Sequence, residues 1–163
     1  MRTSTGMAVL AALLSCLALA AQQATPTKSA ALELGAFSVS LAVEDIAASR
    51  AFYEKLGFSV VMGKQEQKWL ILRNGTTTIG LFQGVLEKNG LTFNPGWNAQ
   101  AQPLATFEDV RSIQRRLKSA GLALTSETDE NASGPGSFSL LDPDGNPLLF
   151  DQHVPKPAAP KKP

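Results

Sequence analysis

Cysteine and histidine are nearly missing from this sequence, which has one of each, Cys16 and His153, in 163 residues. Catalytic sets of the Ser-His-Asp or Cys-His type need a histidine placed beside a nucleophile and an orienting partner. No cysteine, histidine or acidic cluster accompanies His153, so we expect it to be an exposed or rim residue. We therefore exclude the hydrolytic triads as the chemistry of this chain.

Charge and aromatic residues are also scarce. The formal net charge is +1, and aromatic residues make up 7% of the chain. No segment interleaves basic residues with aromatic ones, which is the pattern that a nucleic-acid surface needs. We therefore exclude nucleic acid as a partner.

The N-terminus has the pattern of an export signal. Arg2 supplies the positive charge, and residues 7–21 form an uncharged run that is too short to span a bilayer. Ala18-Leu19-Ala20 is a small-x-small cleavage site. We predict a signal peptide at residues 1–21 and an exported protein, periplasmic or extracellular, that has no membrane span and no disulfide.

An alternative for the N-terminus is lipidation. Leu13-Leu14-Ser15-Cys16 resembles a bacterial lipoprotein box with Cys16 as the anchored residue. The apolar run continues beyond Cys16, whereas lipoproteins usually become polar there. Cleavage without lipidation is therefore the favoured interpretation, and a lipid anchor is the less favoured one.

Polar segments bracket the globular part. Residues 22–35 have the composition of a flexible linker, and residues 154–163 form a tail rich in proline and lysine that cannot pack a core. The globular domain is thus predicted at residues 36–153, a length that can bury a core.

The globular part contains a repeated unit. Glu44-Asp45-Ile46 begins a helical pattern that ends at Gly57, and Glu108-Asp109-Val110 begins another, 64 positions further along, that ends at Gly121. A strand-like segment precedes each helix and three follow it. We predict two βαβββ modules, at about residues 36–84 and 101–153, with the first strand of the second module at residues 103–107.

Three segments together resemble the vicinal oxygen chelate superfamily, which includes glyoxalases, bleomycin-binding proteins and extradiol dioxygenases. They are Leu41-Ala42-Val43-Glu44-Asp45-Ile46, Ser49-Arg50-Ala51-Phe52-Tyr53 with Leu56-Gly57-Phe58, and Asp142-Pro143-Asp144-Gly145-Asn146-Pro147. The resemblance implies an α+β fold in which two βαβββ modules form a cup-shaped mixed β-sheet with the helices outside. Residues 79–84 and 93–97 are similar to a glyoxalase-like subgroup of unassigned function.

The resemblance also implies four metal-ligand positions on strands that face the cup. In this sequence they fall on Ser38, Gly80, Gln102 and Leu149. Glycine and leucine have no donor atom, serine is a poor ligand, and one glutamine amide is weak. A divalent ion needs about three good donors to offset its dehydration. The sequence therefore predicts no metal and no cofactor.

The strand alternation predicts which side chains line the cup. The inward set is mostly apolar with neutral hydrogen-bonding groups: Ser38, Ser40, Thr78, Phe82, Gln102 and Leu149. By the same alternation Asp151 faces the cup, and it is the one titratable group predicted there. It is a weak candidate for a general base, the alternative being a solvated residue at a strand end.

The segment between the modules, residues 84–100, is longer than a simple connection and carries Phe93 and Trp97. One hypothesis is that these rings close over the cup and form an apolar wall for a ligand. The other is that they fill the core or a dimer seam. The candidate ligand-binding residues are therefore Ser38, Ser40, Phe82, Trp97, Gln102 and Leu149.

Three functions are compatible with the sequence. The favoured one is a metal-free domain that binds a small organic molecule in the cup, as bleomycin-binding members of the superfamily do. The runner-up is a metal-dependent lyase, isomerase or dioxygenase. The third is a structural or interaction module, docked through its outer sheet or through the basic second helix, whose charged residues are Arg111, Arg115, Arg116 and Lys118. A homodimer that shares its modules between chains is equally compatible.

Overall fold

The computed structural model describes residues 31–157. The predicted signal peptide, Cys16 and residues 158–163 lie outside the described residues. The strands and helices follow one another along the chain in this order: β1 Ala36–Val43, α1 Ile46–Lys55, β2 Ser59–Lys64, β3 Trp69–Asn74, β4 Thr77–Gln83, β5 Gly90–Asn94, α2 Val110–Ser119, β6 Leu124–Ser126, β7 Gly136–Leu141 and β8 Pro147–Gln152. No helix in this part of the chain is long and apolar enough to cross a membrane.

All eight strands belong to one curled sheet, in the order β2-β3-β4-β1-β5-β8-β7-β6. Within each module the first strand pairs in parallel with the last, β1 with β4 and β5 with β8. The two modules meet through an antiparallel ladder between β1 and β5. The predicted fold class, α+β with two βαβββ modules, is confirmed.

The predicted start of the second module is wrong. The strand expected at residues 103–107 is a loop, in which one isolated bridge joins Pro103 to Trp97. The true first strand is β5, inside the segment that we interpreted as a linker. A strand of only five residues is held in the sheet there because β5 pairs on both sides, with β1 and with β8. Proline at position 103 cannot donate to a ladder, and this agrees with the absence of a strand from that loop.

Acidic residues cap both helices as the repeat predicts. The Asp45 carboxylate accepts from the N–H groups of Ala47 and Ala48, and the Asp109 carboxylate accepts from that of Arg111. These bonds satisfy donors that have no partner within the helix.

A glutamine at the end of each module also binds the start of its helix. Gln83 Oε1 accepts from the Ile46 N–H at 3.2 Å, and Gln152 Oε1 accepts from the Val110 N–H at 2.8 Å. The two glutamines are therefore equivalent positions in the two modules, a relation that fixes how the modules superpose.

Each helix covers its own apolar cluster on one face of the sheet. The cluster under α1 is Ile46, Leu70, Leu72, Ile79 and Leu81, and the cluster under α2 is Val110, Ile113, Phe138, Leu140 and Phe150. Both clusters use alternate residues of the strands. The opposite face, which we call the cup face, carries the remaining side chains.

The basic residues of α2 do not form an open docking surface. Arg111 is fully buried and donates to the backbone carbonyls of Asp129, Gly134 and Pro135. It thereby holds the loop between β6 and β7, a role that the sequence did not reveal. The exposed cations pair with carboxylates of neighbouring loops: Arg115 with Glu130, Arg116 with Glu108 and Lys118 with Glu127. The last bond raises the pKa of Lys118.

The turn between β7 and β8 forms as predicted. The Asp142 carboxylate accepts from the N–H groups of Asp144 and Asn146 and from the Asn146 side chain. These bonds, led by that of the Asn146 amide, lower the pKa of Asp142. Gly145 supplies the positive φ of 80° that the turn requires.

The globular part extends beyond both of its predicted boundaries, residues 36 and 153. Leu32 and Leu34, assigned to the linker, pack against the cluster under α2. At the other end, the Lys156 N–H donates to the Ser133 carbonyl at 2.8 Å. The start of the predicted tail is therefore ordered.

Gln152 gives a direct test of how much the buried polar contacts stabilise the fold. We expect Gln152→Leu to lower the free energy of unfolding by about 1–3 kcal/mol, because it leaves the Val110 N–H without an acceptor and removes a donor from the buried Asp109. Urea unfolding measures this. Gln83→Leu is the matched control, with an expected loss below about 1 kcal/mol, since Gln83 is only part-buried and water can replace its bond. Equal losses would contradict the interpretation.

Candidate functional site

The cup face brings together side chains from four adjacent strands, β3, β4 and β1 of the first module and β5 of the second. Register pairs Arg73 with Thr78 across β3 and β4, and Ser38 with Thr92 across β1 and β5. The alternating residues Trp69 and Ile71 of β3 lie on the same face.

These side chains surround a cavity of about 290 Å³. Its apolar wall consists of Val61, Met62, Trp69, Ile71, Phe82 and Trp97. Its polar groups are Ser38, Ser40, Arg73, Thr78, Thr92, Asn94, Asn98, Asp151 and His153. The cavity thus combines aromatic surface with several hydrogen-bonding groups, which is the usual make-up of a small-molecule site.

Gly80 determines where the Phe82 ring lies. A Cβ atom at Gly80 would be 2.5 Å from Cε2 of Phe82 and 3.3 Å from Cδ1 of Ile71. The ring can therefore lean over the backbone of β4 only because residue 80 has no side chain. The aromatic wall of the cavity depends on this close approach.

Two hydroxyl groups lie at the junction of the modules. Ser40 Oγ and Thr92 Oγ1 are hydrogen-bonded at 2.9 Å, and Thr92 is buried. Each hydroxyl keeps further capacity to donate or accept. A ligand that reaches the junction meets neutral polar groups from both modules.

Asp151 and His153 lie together at one side of the cavity. His153 Nε2 is 3.3 Å from Asp151 Oδ2, and the imidazole stacks on the Trp97 ring with centroids 4.2 Å apart. Asn94 Nδ2 donates to the Asp151 carbonyl at 2.9 Å, which holds the end of β8 against β5. A histidine oriented by a carboxylate can exchange a proton with a ligand, so the pair is able to do acid–base chemistry.

His153 is exposed at the rim of the cavity, as expected, with 43% of its side chain accessible, and its contacts with Asp151 and Trp97 are what the sequence did not predict. Spacing could have revealed the pair, since residues 151 and 153 project from the same face of a continued strand. The role of Asp151 as a general base stays a prediction.

The other candidate residues divide between the cavity and its surroundings. Ser38, Ser40, Phe82 and Trp97 line it, and their roles in ligand binding stay predictions. Leu149 lines a neighbouring depression on the second module. Gln102 does not line the cavity; it lies in the loop before α2, where its Oε1 accepts from Asn98 Nδ2 at 3.2 Å.

Phe93 and Trp97 have different positions. Phe93 lies in β5 and packs against Phe37 and Phe150, on the helix-covered face. The hypothesis that Phe93 closes the cup is therefore wrong, and the alternative that it fills the core is right. Trp97 follows the turn after β5 and does line the cavity.

Four polar residues of the cavity were not predicted from the sequence: Arg73, Thr92, Asn94 and Asn98. Arg73 continues the alternation of Trp69 and Ile71 along β3 and therefore shares their face of the sheet. Thr92 and Asn94 were hidden by the interpretation of residues 84–100 as a linker.

The residues at the implied metal positions do not fit a metal ion. Gly80 and Leu149 each lie three residues before the equivalent glutamines Gln83 and Gln152, so they are counterparts. β4 pairs Gly80 with Ser40, and β8 pairs Leu149 with Thr92, so Ser40 and Thr92 are counterparts too.

The counterpart of Ser38 is then Gly90, not Gln102. The corrected set offers one hydroxyl as its only side-chain donor. Within residues 31–157, no group of three or more histidine, cysteine, aspartate or glutamate side chains is placed to hold a metal ion.

The close approach of Phe82 to Gly80 predicts a strong coupling between the two positions. We expect Gly80→Ala to lower the free energy of unfolding by about 1–3 kcal/mol, because the new methyl group overlaps the ring. The same change made in a Phe82→Ala background is expected to cost less. A double-mutant cycle by urea unfolding measures the coupling.

Gly134→Ala is the control for the general effect of replacing glycine, since a Cβ there would meet nothing within 4 Å. A coupling close to zero, or equal losses at positions 80 and 134, would contradict the geometry.

Comparisons with known proteins agree on one family. The sequence profile described as Glyoxalase/Bleomycin resistance protein/Dioxygenase superfamily matches residues 35–150. A protein of Salmonella typhimurium named virulence protein STM3117 is 30% identical over 118 residues, which cover 70% of this chain and 81% of that protein. A bleomycin resistance protein of Klebsiella pneumoniae is 28% identical over 128 residues, covering 70% and 89% of the two chains.

The fold is also found in solved structures. That of a glyoxalase/bleomycin resistance protein/dioxygenase superfamily member from Vibrio splendidus superposes with a TM-score of 0.50 at 18% identity. The match covers 71% of this chain and 97% of the other. At this identity the likeness concerns the fold alone.

Proposed function

Because the chain belongs to the glyoxalase/bleomycin resistance protein/dioxygenase superfamily, we propose that it binds a small organic molecule in its cavity and does so without a metal ion. The resemblance to bleomycin-binding members of the superfamily supports a binding role that needs no metal. The fold alone does not decide between binding and catalysis, so the proposal rests on the side chains of the site.

The observation that carries the proposal is the placement of Phe82 over Gly80. One of the four positions that would hold a metal is thereby covered with an aromatic ring, which gives the ligand an apolar surface. Trp69 on β3 is directly opposite Phe82 and extends that surface. Aromatic walls beside a few hydroxyl groups favour a planar or amphipathic molecule.

A metal-dependent lyase, isomerase or dioxygenase remains the main alternative. It would need about three good donors, whereas the cavity offers one carboxylate, Asp151, whose Oδ2 is already in contact with His153. Serine and threonine hydroxyls are weak ligands while protonated. The donor set therefore argues against this alternative.

Metal analysis tests this point. After incubation with manganese, iron, nickel and zinc and subsequent desalting, we expect the protein to retain far less than one ion per chain by mass spectrometry. Asp151→Asn is the matched variant, because it removes the one carboxylate of the cavity. Near-stoichiometric metal that is lost in this variant would contradict the proposal and favour the enzyme.

Thermal-shift screening tests binding itself. We expect at least one small aromatic molecule to raise the melting temperature of the wild-type protein. Trp97→Ala should weaken its binding about tenfold, since the ring forms one wall of the cavity. Phe52→Ala is the control, because Phe52 is 58% exposed on α1 and should not affect affinity.

Two other outcomes of the screen have clear meanings. If Trp97→Ala lowers stability but leaves affinity unchanged, Trp97 has a structural role. If no compound in a broad library binds, the interaction-module alternative is favoured.

A further inference from the structure

Arg73 differs from the other arginines of the described residues. Arg50, Arg111, Arg115 and Arg116 each form an ion pair with a carboxylate. Arg73 has no carboxylate partner within residues 31–157, and its one hydrogen bond runs from Nε to Thr78 Oγ1 at 3.3 Å. Its two Nη groups therefore have no protein acceptor in this part of the chain.

The position of Arg73 makes this arrangement relevant to the cavity. It lines the cavity and lies on the cup face of β3, directly opposite Thr78. Val39 of β1 pairs in parallel with Ile79 of β4, so the residues before them, Ser38 and Thr78, are neighbours on the cup face. Both hydroxyls also line the cavity, and with the Arg73 guanidinium they form a row across three adjacent strands. A planar guanidinium with two free nitrogen atoms matches the two oxygens of a carboxylate.

The aromatic wall of the cavity lies next to this row, displaced from it along the direction of the strands. The Phe82 ring leans over Gly80, which is two residues from Thr78 and thus about 7 Å away along β4. A molecule that places an anionic group at Arg73 can therefore place an apolar ring against Phe82. Both contacts are available to the same small ligand.

We propose that the cavity recognises an aromatic monocarboxylate, with the Arg73 guanidinium binding the carboxylate and Phe82 contacting the ring. This inference rests on the proposed function and adds the chemical class of the ligand. The carboxylate of Asp151 lies on β8, four strands away from β3 in the sheet order with β4, β1 and β5 between them. Its negative charge opposes the reverse orientation of an anionic ligand.

Two nearly isosteric probes test the inference: 3-phenylpropanoate and its neutral amide, 3-phenylpropanamide. Isothermal titration calorimetry with the full chain at pH 7 is expected to show the acid binding at least about tenfold more tightly than the amide. Arg73→Gln should weaken the acid about tenfold or more and leave the amide nearly unchanged.

Arg73→Lys keeps the charge but loses the planar pair of donors, so we expect intermediate affinity for the acid. Arg50→Gln, on the outer helix α1, is the matched control and should bind both probes as the wild type does. Urea unfolding of each variant verifies that it is folded, and Arg73→Lys serves in place of Arg73→Gln should the latter be unstable.

The outcomes separate the two proposals. If acid and amide bind equally and Arg73→Gln weakens neither, the role of Arg73 is overturned while small-molecule binding stands. The same holds if neither probe binds but another compound does, with an affinity that Arg73→Gln leaves unchanged. If no compound binds to the folded wild-type protein, both proposals fail.

Discussion

The antiparallel ladder between β1 and β5 is the contact on which the rest of the molecule depends. It is the one strand pairing that joins the two modules within the described sheet, since each module is otherwise closed on itself by its own parallel pair. Register in this ladder sets which hydroxyl groups meet, and it places Ser40 within hydrogen-bond distance of Thr92. A slip of one residue would turn the cup-face side chains of β5 toward the helices, and the cavity would lose its polar floor.

The sequence predicted the elements whose signals are local. Asp45 and Asp109 mark the helix starts because capping is a contact between residues two or three apart. Alternation in β1 correctly separates Ser38 and Ser40 from the core-facing residues. β5 could not be found in this way, since five residues bounded by Gly90 and Asn94 resemble a loop until two partner strands are in place. The error in β5 is what moved the third implied position to Gln102.

Side-chain burial was harder to predict than strand position. Arg111 has the sequence context of an exposed helix residue, yet it is buried because three loop carbonyls accept its N–H groups. Those carbonyls come from residues 18 or more positions along the chain, and no local pattern records them. The stacking of His153 on Trp97 is another contact of this kind, formed only when the loop after β5 returns to the end of β8.

A bound metal ion and the Arg73 guanidinium would act on a ligand in different ways. A bound divalent ion acts as a Lewis acid and polarises a ligand oxygen, whereas a guanidinium stays protonated and can only donate hydrogen bonds. Gly80 and Leu149 have no donor atom for such an ion, and the Phe82 ring lies over Gly80. Under the proposed function, the cup would recognise a ligand by shape and charge without the chemistry of a metal centre. We infer that such a site selects ligands by an anionic group and a ring held at a fixed separation, which the rigid pairing of β3 with β4 provides.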